Sequence, residues 1–354
     1  MNATPLERII AAIIREDGPM PLERYMALCL GHPHYGYYMT RDPLGADGDF
    51  ITAPEISQIF GELIGIWAVA MFQQMGEPSA FNLIELGPGR GTLLADMLRA
   101  AAKVPAFRTA ARIHLVETSP ALRKVQARTL GDGPAWHDDL GTVPPGPSII
   151  IANEFFDALP IRQYECRSRR WMECVVGLKG EEKLIIGLVA SDLVQGPAPE
   201  GTIIELAPML DLLARAMGER LAGEPGAALI IDYGHVRSAP GDTLQAVRHH
   251  RYQGILEYPG EADLTSHVDF EALASSLSAG GAGVSGPMTQ GDFLRAMGLE
   301  VRAAALGTRT GAAEREIFAA AVERLAHADQ MGNLFKVLAA VSPGLTTPFP
   351  FGSI

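Results

Sequence analysis

Residues 81 to 92 read Phe-Asn-Leu-Ile-Glu-Leu-Gly-Pro-Gly-Arg-Gly-Thr, and this stretch decides the fold. Its first half is a short apolar run that ends on Glu85 and Leu86, which predicts a buried β-strand. Glycine at positions 87, 89 and 91 lets the backbone pass close to a ligand, because no Cβ stands in the way. Apolar residues at helical spacing follow from Leu93 to Leu98. The order strand, glycine turn, helix predicts an α/β fold with a nucleoside-sized pocket at the turn.

Two classes of nucleoside site use such a turn. Dinucleotide-binding enzymes carry G-x-G-x-x-G, in which the third glycine would stand where this chain has Thr92. The spacing E-x-G-x-G-x-G resembles motif I of the class I S-adenosylmethionine methyltransferases. In that family the acid at the strand end, here Glu85, lies near the methionine part of the cofactor. The glycines, here Gly87, Gly89 and Gly91, pass beneath it. A tight turn without any ligand is the third interpretation.

The next two predicted strands also end on acidic side chains. Residues 112 to 117 form the second strand, and Glu117 at its end is suited to accept both ribose hydroxyl hydrogens. This acid would serve a dehydrogenase and a methyltransferase equally. Asp138 and Asp139 follow the third strand, where the methyltransferase fold places an acid on the adenine amine and an apolar neighbour, here Leu140, on the ring. Alternatively, these two acids are exposed to solvent and contact no ligand.

The fourth predicted strand, residues 148 to 152, is a bare apolar run of the kind found in fully buried parallel strands. Asn153, Glu154 and Asp157 follow it, and we predict them as the catalytic residues. Many amino-directed methyltransferases place Asn or Asp, two prolines and an aromatic residue here. This chain lacks both prolines and inserts Glu154, so the amide-holding role does not carry over whole. A carboxylate suits a cationic acceptor, with Glu154 as the main residue and Asp157 as the weaker partner.

The composition limits the partners. A chain of 354 residues that is 47% hydrophobic can form one large α/β domain with insertions, or two domains. Its formal charge of −12, without a Lys- or Arg-rich run, argues against nucleic acid as the main partner. Three cysteines without C-x-x-C spacing predict neither a disulfide framework nor a zinc site. The only candidate metal set lacks ligand spacing on one element, so no metal is predicted; its members are His249, His250, Asp263 and His267.

The beginning of the chain lacks the basic start and apolar stretch of a signal peptide. No apolar segment approaches the ~20 residues that a membrane-spanning helix needs. We therefore expect a cytoplasmic protein of bacterial type, or a mitochondrial matrix protein if the chain is a processed organellar form.

The chain before the glycine turn, residues 1–78, is predicted as a helical and lid segment, and residues 79–354 as the core. Asp49 to Glu55 comes just before the first core strand and is predicted either as a lid over the cofactor site or as a structural loop. The aromatic stretch from His32 to Tyr38 is predicted as a packed loop, with direct ligand contact as the alternative.

Two insertions into the core are predicted, at about residues 161–203 and 238–268. Apolar residues alternate on either side of Lys179 to Glu182, which predicts a β-hairpin in the first insertion. The second insertion is polar and is predicted as loops. The remaining predicted elements are helices at 206–221, 269–279, 290–297 and 312–327 and strands at 227–234 and 333–341.

Six stretches together resemble the MidA family of S-adenosylmethionine-dependent methyltransferases. They are residues 32–38 (His-Pro-His-Tyr-Gly-Tyr-Tyr), 48–55 (Gly-Asp-Phe-Ile-Thr-Ala-Pro-Glu), 85–91 (Glu-Leu-Gly-Pro-Gly-Arg-Gly), 153–160 (Asn-Glu-Phe-Phe-Asp-Ala-Leu-Pro), 231–234 (Ile-Asp-Tyr-Gly) and 331–336 (Met-Gly-Asn-Leu-Phe-Lys). The resemblance covers nearly the whole chain. It implies a Rossmann-like class I methyltransferase fold, with a mostly parallel seven-stranded sheet and helices on both faces, and S-adenosyl-L-methionine as cofactor.

The resemblance also implies a function. Mitochondrial members of the family are linked to the assembly of respiratory complex I, and they place symmetric dimethylarginine on a core subunit of that complex. For this chain it implies a protein substrate: a complex I subunit or a bacterial equivalent. The alternative function is a non-catalytic assembly factor that binds S-adenosylmethionine and holds a partner protein.

Overall fold

The structure is a computed structural model that describes residues 3–40, 52–180, 183–308 and 311–352. The first three residues of the predicted lid, 49–51, therefore lie outside the described residues, whereas residues 52–55 are described. The helices are α1 (Pro5–Asp17), α2 (Leu22–Gly31), α3 (Tyr37–Thr40), α4 (Ala53–Ile56), α5 (Gln58–Gln74), α6 (Thr92–Ala101), α7 (Pro105–Ala110), α8 (Pro120–Leu130), α9 (Pro208–Gly223), α10 (Phe270–Ala279), α11 (Gln290–Ala296), α12 (Leu299–Gly307) and α13 (Ala312–Ala326).

The strands belong to three sheets. They are β1 (Met20–Pro21), β2 (Phe81–Leu86), β3 (Ala111–Val116), β4 (Ala135–His137), β5 (Ser148–Asn153), β6 (Arg162–Arg167), β7 (Arg170–Lys179), β8 (Lys183–Ala190), β9 (Ile203–Leu206), β10 (Gly226–His235), β11 (Gln245–Arg248), β12 (Arg251–Gln253), β13 (Asp263–Thr265), β14 (Val268–Asp269), β15 (Gly283–Thr289) and β16 (Phe335–Val341).

The main sheet has the strand order β4-β3-β2-β5-β10-β16-β15. The first five strands are parallel, and β16 is antiparallel to both of its neighbours. This confirms the predicted seven-stranded, mostly parallel sheet, and the short β14 adds an eighth strand beside β10. From β2 the chain builds first toward β4 and then, from β5 onward, in the opposite direction. The reversal places a topological switch point between β2 and β5, where open α/β sheets bind ligands.

Alternate residues of the central strands face two separate cores. In β2, Leu83 packs into a core with helices α5 and α6 on one face of the sheet. Ile84 and Leu86 pack into a second core with α9 and α10 on the other face. A strand buried on both faces is mostly apolar, which is why β2 and β5 are largely apolar in sequence. Asn82 and Glu85 of β2 are buried polar exceptions. The helices cover both faces as predicted.

The first insertion is larger than the predicted hairpin. The hairpin is present as β7 and β8, and it belongs to a five-stranded antiparallel sheet that also contains β6, β9 and β1 from the N-terminal segment. Helices α1 and α2 pack on this sheet through Leu6, Ile10 and Val176 among others. The N-terminal helices therefore pack against the first insertion, whereas α5 packs against α6 on the main sheet. The boundary at residue 78 stays a prediction.

The second insertion was predicted as loops, and that prediction is wrong for part of it. Strands β12, β11 and β13 form a small antiparallel sheet. Ala246 and Leu264 of this sheet are buried in the same core as α1 and α2. Each of its strands is only three or four residues long, so the apolar signal is too short to stand out in the sequence. No helix among the described residues is both long and apolar enough to cross a membrane.

Candidate active site

A cavity of about 500 Å³ lies at the carboxyl ends of β2, β3, β5 and β10, at the switch point of the main sheet. Its volume is within the range of pockets that bind cofactors and drug-sized ligands. Eight of the eleven predicted site residues line it. They are Glu85, Gly87, Gly89, Glu117, Asp138, Asn153, Glu154 and Asp157.

Glu85 ends the central strand inside the cavity. Its side chain is buried, and Oε2 has no hydrogen-bond partner among the described residues. Burial raises the pKa of this carboxyl group to about 8. A cationic N–H donor beside Oε2 would satisfy the oxygen and favour its ionised form. The unpartnered oxygen of Glu85 therefore fits the α-ammonium group of S-adenosylmethionine, and the place of the methionine part beside Glu85 stays a prediction.

The glycine turn follows Glu85 and is left-handed at all three glycines, with φ of +60° at Gly87, +52° at Gly89 and +81° at Gly91. A Cβ on Gly87 would lie 2.6 Å from the ring of Phe155, which also lines the cavity. The space that Gly87 leaves open is thus filled by a ring of the neighbouring loop. Gly91 does not line the cavity; it precedes α6 and lies against Leu130 of α8.

Glu117 lies at the end of β3, where it is suited to the ribose. Its Oε1 accepts a hydrogen bond from the N–H of Ser119 at 2.7 Å, and its Oε2 accepts one from Gln126 at 3.1 Å. The same Gln126 amide donates to the carbonyl of Gly89 at 2.8 Å, which joins the acid to the glycine turn. Burial raises the pKa of Glu117. No local pattern predicts this role of Gln126, because it depends on contacts with residues 9 and 37 positions away along the chain.

Of the three predicted site residues after β4, only Asp138 lines the cavity. Asp138 lines the cavity and is paired with Arg123 at 2.7 Å. Asp139 is exposed and does not line it. Leu140 is buried in the core beneath the sheet, so it does not supply the predicted apolar contact from the cavity wall. Leu122 of α8 is an apolar side chain that does line the cavity.

Glu154 has a backbone conformation that a non-glycine residue seldom adopts, with φ of +49°. Its Oε1 accepts hydrogen bonds from the N–H of Ala53 at 3.1 Å and from the amide of Asn153 at 3.3 Å. Burial raises the pKa of Glu154 to about 7, and the nearby Asp157 adds to the shift. Ala53 begins α4, so the described end of the predicted lid contacts the predicted catalytic carboxylate directly. Strained residues with perturbed pKa values are typical of functional sites.

Asp232, at the end of β10, holds the loop that carries the predicted catalytic residues. Its Oδ2 accepts the three consecutive N–H groups of residues 155–157 at 2.9 to 3.2 Å, and its Oδ1 accepts the N–H of Tyr233 at 2.9 Å. The side chain is fully buried. Burial raises its pKa, and the nearby Asp157 and Glu154 raise it further. Asp232 is thus a positioning residue that the sequence prediction missed.

Replacing Asp232 with asparagine is expected to lower the free energy of unfolding by roughly 2–3 kcal/mol. Both carboxylate oxygens accept backbone N–H groups, and in asparagine one of these oxygens becomes an NH2 group that points at an N–H donor. We also expect lower kcat, since the 155–157 loop loses its anchor. Chemical denaturation followed by an activity assay measures both effects. Asp192→Asn, an exposed residue after β8, is the matched control. Wild-type stability and activity in Asp232→Asn would remove Asp232 from this role.

The cavity is strongly acidic. Seven carboxylic side chains line it: Glu55, Glu85, Glu117, Asp138, Glu154, Asp157 and Asp263. Arg90 is the only Lys or Arg among the described lining residues, and it lies 3.7 Å from Glu55. Such a lining favours cationic ligands. Among the described residues, no group of three His, Cys, Asp or Glu is placed to hold a metal ion.

The parallel strand order, the glycine turn at the switch point and the acidic cavity define the class of the protein: an S-adenosylmethionine-dependent methyltransferase with a Rossmann-like fold. A family model described as "Putative S-adenosyl-L-methionine-dependent methyltransferase" matches residues 63–288. The chain belongs to this family.

Relatives and solved structures agree. "Protein arginine methyltransferase NDUFAF7, mitochondrial" from Xenopus tropicalis is 35% identical, over 93% of this chain and 84% of its own length. The Drosophila melanogaster homolog is 37% identical, over 96% and 85%. A crystal structure from Burkholderia thailandensis with bound S-adenosyl-homocysteine is 26% identical with a TM-score of 0.85, over 98% and 96% of the two chains. These findings confirm the resemblance to the MidA family, the fold class, methyltransferase activity and the S-adenosyl-L-methionine cofactor.

Proposed function

We propose that this methyltransferase modifies arginine side chains of a protein and forms symmetric dimethylarginine, on a core subunit of respiratory complex I or its bacterial equivalent. The observation that carries the proposal is the pair of neighbouring carboxylates, the half-buried Glu154 and the buried Asp157, in a cavity lined by seven acids of the described chain. The proposal is supported by relatives whose name is protein arginine methyltransferase. The proposed compartment is the mitochondrial matrix if the acceptor is a subunit of complex I there, and the bacterial cytoplasm if the acceptor is the bacterial equivalent.

The donor side of the cavity is assigned to the residues that follow the first three core strands. Glu85 holds the ammonium group, the backbone at Gly87 and Gly89 passes beneath the cofactor, and Glu117 and Asp138 hold the ribose and the adenine. When bound, S-adenosylmethionine supplies an electrophilic methyl group on a sulfonium. The chain's task is then to fix the acceptor nitrogen in line with that group, because the chemistry depends mainly on near-attack positioning.

The acceptor side is assigned to the residues after β5. A guanidinium group stays protonated, with a pKa above ~12, and its nitrogen lone pairs are delocalised. Asp157 and one oxygen of Glu154 accept hydrogen bonds from nitrogens that do not react, which localises the positive charge there and frees electron density on the attacking nitrogen. The other oxygen of Glu154 is left to face the attacking nitrogen. As the nitrogen–carbon bond forms, the bond from the methyl carbon to sulfur breaks, S-adenosyl-homocysteine leaves with the electron pair, and the attacking nitrogen loses one proton. Glu154 is the proposed acceptor of the proton, and it passes the proton to solvent after the transfer.

The rate of methyl transfer is expected to depend on pH in a defined direction. Both carboxyl groups must be ionised to act, and burial raises the pKa of Glu154 to about 7 and that of Asp157 to about 6. We therefore expect kcat at saturating cofactor to rise as the pH increases through about 6 to 7 and to level off above. Steady-state kinetics from pH 5 to 9 measures this, and a kcat that falls over the same range would contradict the assignment.

Transfer of labelled methyl groups tests the proposed function. The purified protein is incubated with S-adenosylmethionine that carries a deuterated methyl group and with an extract of cells that lack the gene. Mass spectrometry of the digested extract is expected to find deuterated dimethylarginine. Labels confined to lysine, to other residues or to small molecules would reject arginine as the acceptor.

The alternative, a non-catalytic assembly factor that binds the cofactor and holds a partner, makes a different prediction. In that case no protein in the extract gains a labelled methyl group, and the assembly factor copurifies with a partner protein that is not methylated. The strained conformation of Glu154 and its shifted pKa favour the enzyme, because a holding role needs neither feature.

A further inference from the structure

One wall of the cavity is built by three separate parts of the chain. Tyr38 comes from α3 in the N-terminal segment. Asp157 comes from the loop after the core strand β5, and Tyr233 lies near the end of the core strand β10. Asp263 and Thr265 come from β13 in the second insertion. We call these five residues the insertion wall. Parts added to a common core are where a fold acquires its own specificity.

Two tyrosines of the insertion wall lie beside its acidic side chains. The hydroxyl of Tyr38 donates to Oδ1 of Asp263 at 2.8 Å. The side chain of Tyr233 lines the same wall, where burial raises the pKa of its hydroxyl and the carboxylate of Asp157 raises it further. Burial raises the pKa of Tyr38, and the carboxylates of Asp263 and Asp157 raise it further. Both phenols therefore remain donors, and both acids lie close to Tyr38.

The second insertion is hydrogen-bonded both to the loop that carries Glu154 and Asp157 and to the N-terminal segment. The N–H of Ser266, next to Thr265, donates to the carbonyl of Asp157 at 2.9 Å. The hydroxyl of Ser119 donates to the carbonyl of Tyr38 at 2.6 Å, and the N–H of the same serine donates to Glu117. Tyr38 thus bridges the predicted ribose ligand and Asp263, so the insertion wall lies beside the donor site, where an acceptor must be held.

Two buried oxygens, one in this wall and one next to it, have no hydrogen-bond partner in the described part of the chain. Oδ1 of Asp157 and Oδ1 of Asn153 are buried without a hydrogen-bond donor among the described residues, and the two side chains are 6% and 9% exposed. Buried polar atoms in folded proteins are almost always satisfied. Both atoms are acceptors, so the group that satisfies them carries N–H or O–H donors.

The negative charge of the insertion wall and of the acid next to it indicates that the ligand is a cation. Asp157 and Asp263 belong to it, and Glu154 and Asn153 adjoin it, so the ligand meets carboxylates from more than one direction. A guanidinium group presents five N–H donors in one plane, which matches acceptors placed around it. An ammonium group offers three donors from a single point, and a neutral urea lacks the charge.

We propose that the insertion wall is the acceptor subsite, that it binds the guanidinium group of the acceptor arginine, and that Asp263 determines specificity for this cation. The assignment rests on the proposed function, because it names where that acceptor binds. Asp157 contacts the guanidinium through its unpartnered oxygen. Tyr233 and Tyr38 are positioning residues that orient Asp157 and Asp263.

Asp263→Asn tests the proposal, because asparagine keeps an acceptor for Tyr38 while it removes the charge. Peptide pools with randomised flanks and a central arginine, lysine or citrulline serve as acceptors with labelled S-adenosylmethionine. We expect kcat/KM for the arginine pool to fall at least about ten-fold, while calorimetry shows wild-type affinity for S-adenosyl-homocysteine, which also confirms that the variant is folded. Glu257→Gln, an exposed acid of the same insertion outside the cavity lining, is the matched control with wild-type activity.

Full activity of Asp263→Asn on the arginine pool would overturn the subsite and leave arginine methylation intact. If the wild-type protein methylates no arginine pool, the proposed function fails, and the subsite is decided by binding alone. Saturation-transfer NMR of the protein loaded with S-adenosyl-homocysteine then compares ethylguanidinium, ethylammonium and N-ethylurea. Binding of ethylguanidinium that is stronger than that of the other two and is lost in Asp263→Asn supports the subsite. Equal binding of all three, or none, overturns it.

Discussion

Replacing Glu154 with glutamine is expected to lower kcat by about 10²- to 10³-fold, the range seen when one electrostatic contact to a reacting group is removed. Glutamine keeps the shape of the side chain and its acceptor oxygen for the N–H of Ala53. It removes the negative charge that localises the guanidinium cation and the site that takes the proton. Single-turnover kinetics at saturating cofactor measures the methyl-transfer step directly.

Calorimetry with S-adenosyl-homocysteine provides the control for Glu154→Gln, because Glu154 is not assigned to the donor side. We expect the affinity to stay within about two-fold of the wild-type value, whereas loss of a charged hydrogen bond would cost more than that. Glu219→Gln, an exposed glutamate on α9, is the matched variant and should retain full activity. Unchanged methyl transfer by Glu154→Gln would remove Glu154 from the mechanism. The same variant should also lose the pH step near 7.

Replacing Gly87 with valine is expected to abolish measurable binding of S-adenosyl-homocysteine, a loss of at least about 100-fold, or ~2.7 kcal/mol. The Cβ alone would lie 2.6 Å from the ring of Phe155. That ring belongs to the loop between Glu154 and Asp157, so both the glycine turn and the acceptor side must shift. Calorimetry on folded protein is the measurement.

Gly131→Val separates this clash from the cost of backbone strain. Gly131 also has a left-handed backbone, with φ of +73°, but a Cβ there would meet no atom within 4 Å. Both variants should lose stability, by roughly 1–2 kcal/mol for a side chain in the left-handed region, and only Gly87→Val should lose the ligand. Normal affinity in Gly87→Val would contradict the place assigned to the glycine turn.

Local patterns were sufficient to predict the central sheet. Strands β2, β3, β5 and β10 are rich in apolar residues and carry a polar residue at or near their carboxyl end, so the type and order of the strands and their polar ends could be predicted from the sequence. In contrast, β15 was not predicted. Its sequence, Gly-Val-Ser-Gly-Pro-Met-Thr, contains two glycines and a proline, and it lies at the sheet edge, where strands tolerate such residues.

The donor side of the site was more predictable than the acceptor side. Glu85 and Glu117 directly follow apolar strand residues, so their position at the carboxyl edge of the sheet could be inferred from the chain itself. Tyr38 and Asp263 are hydrogen-bonded although they are 225 residues apart in sequence, and no local pattern predicts such a contact. Tyr38 was assigned to a packed loop with ligand contact as the alternative, and it both packs and lines the cavity.

Long-range hydrogen bonding also explains why Asp232 and Gln126 were missed. Each side chain is fully buried and bonds to backbone groups of a different element. A buried polar residue at the end of an apolar strand, as in Asp232, is the one sequence signal that indicates such an anchor, since burial requires partners. Gln126 lies inside a helix and has no such signal.

The central claim is that the protein transfers methyl groups to arginine through Glu154. The most direct test compares the arginine methylation of the whole proteome in three strains: wild type, a deletion strain, and the deletion strain that expresses Glu154→Gln at the wild-type level. We predict that one or a few dimethylarginine sites are present in the wild type and absent from both other strains. Identical dimethylarginine sites in all three strains, or sites restored by Glu154→Gln, would contradict the claim.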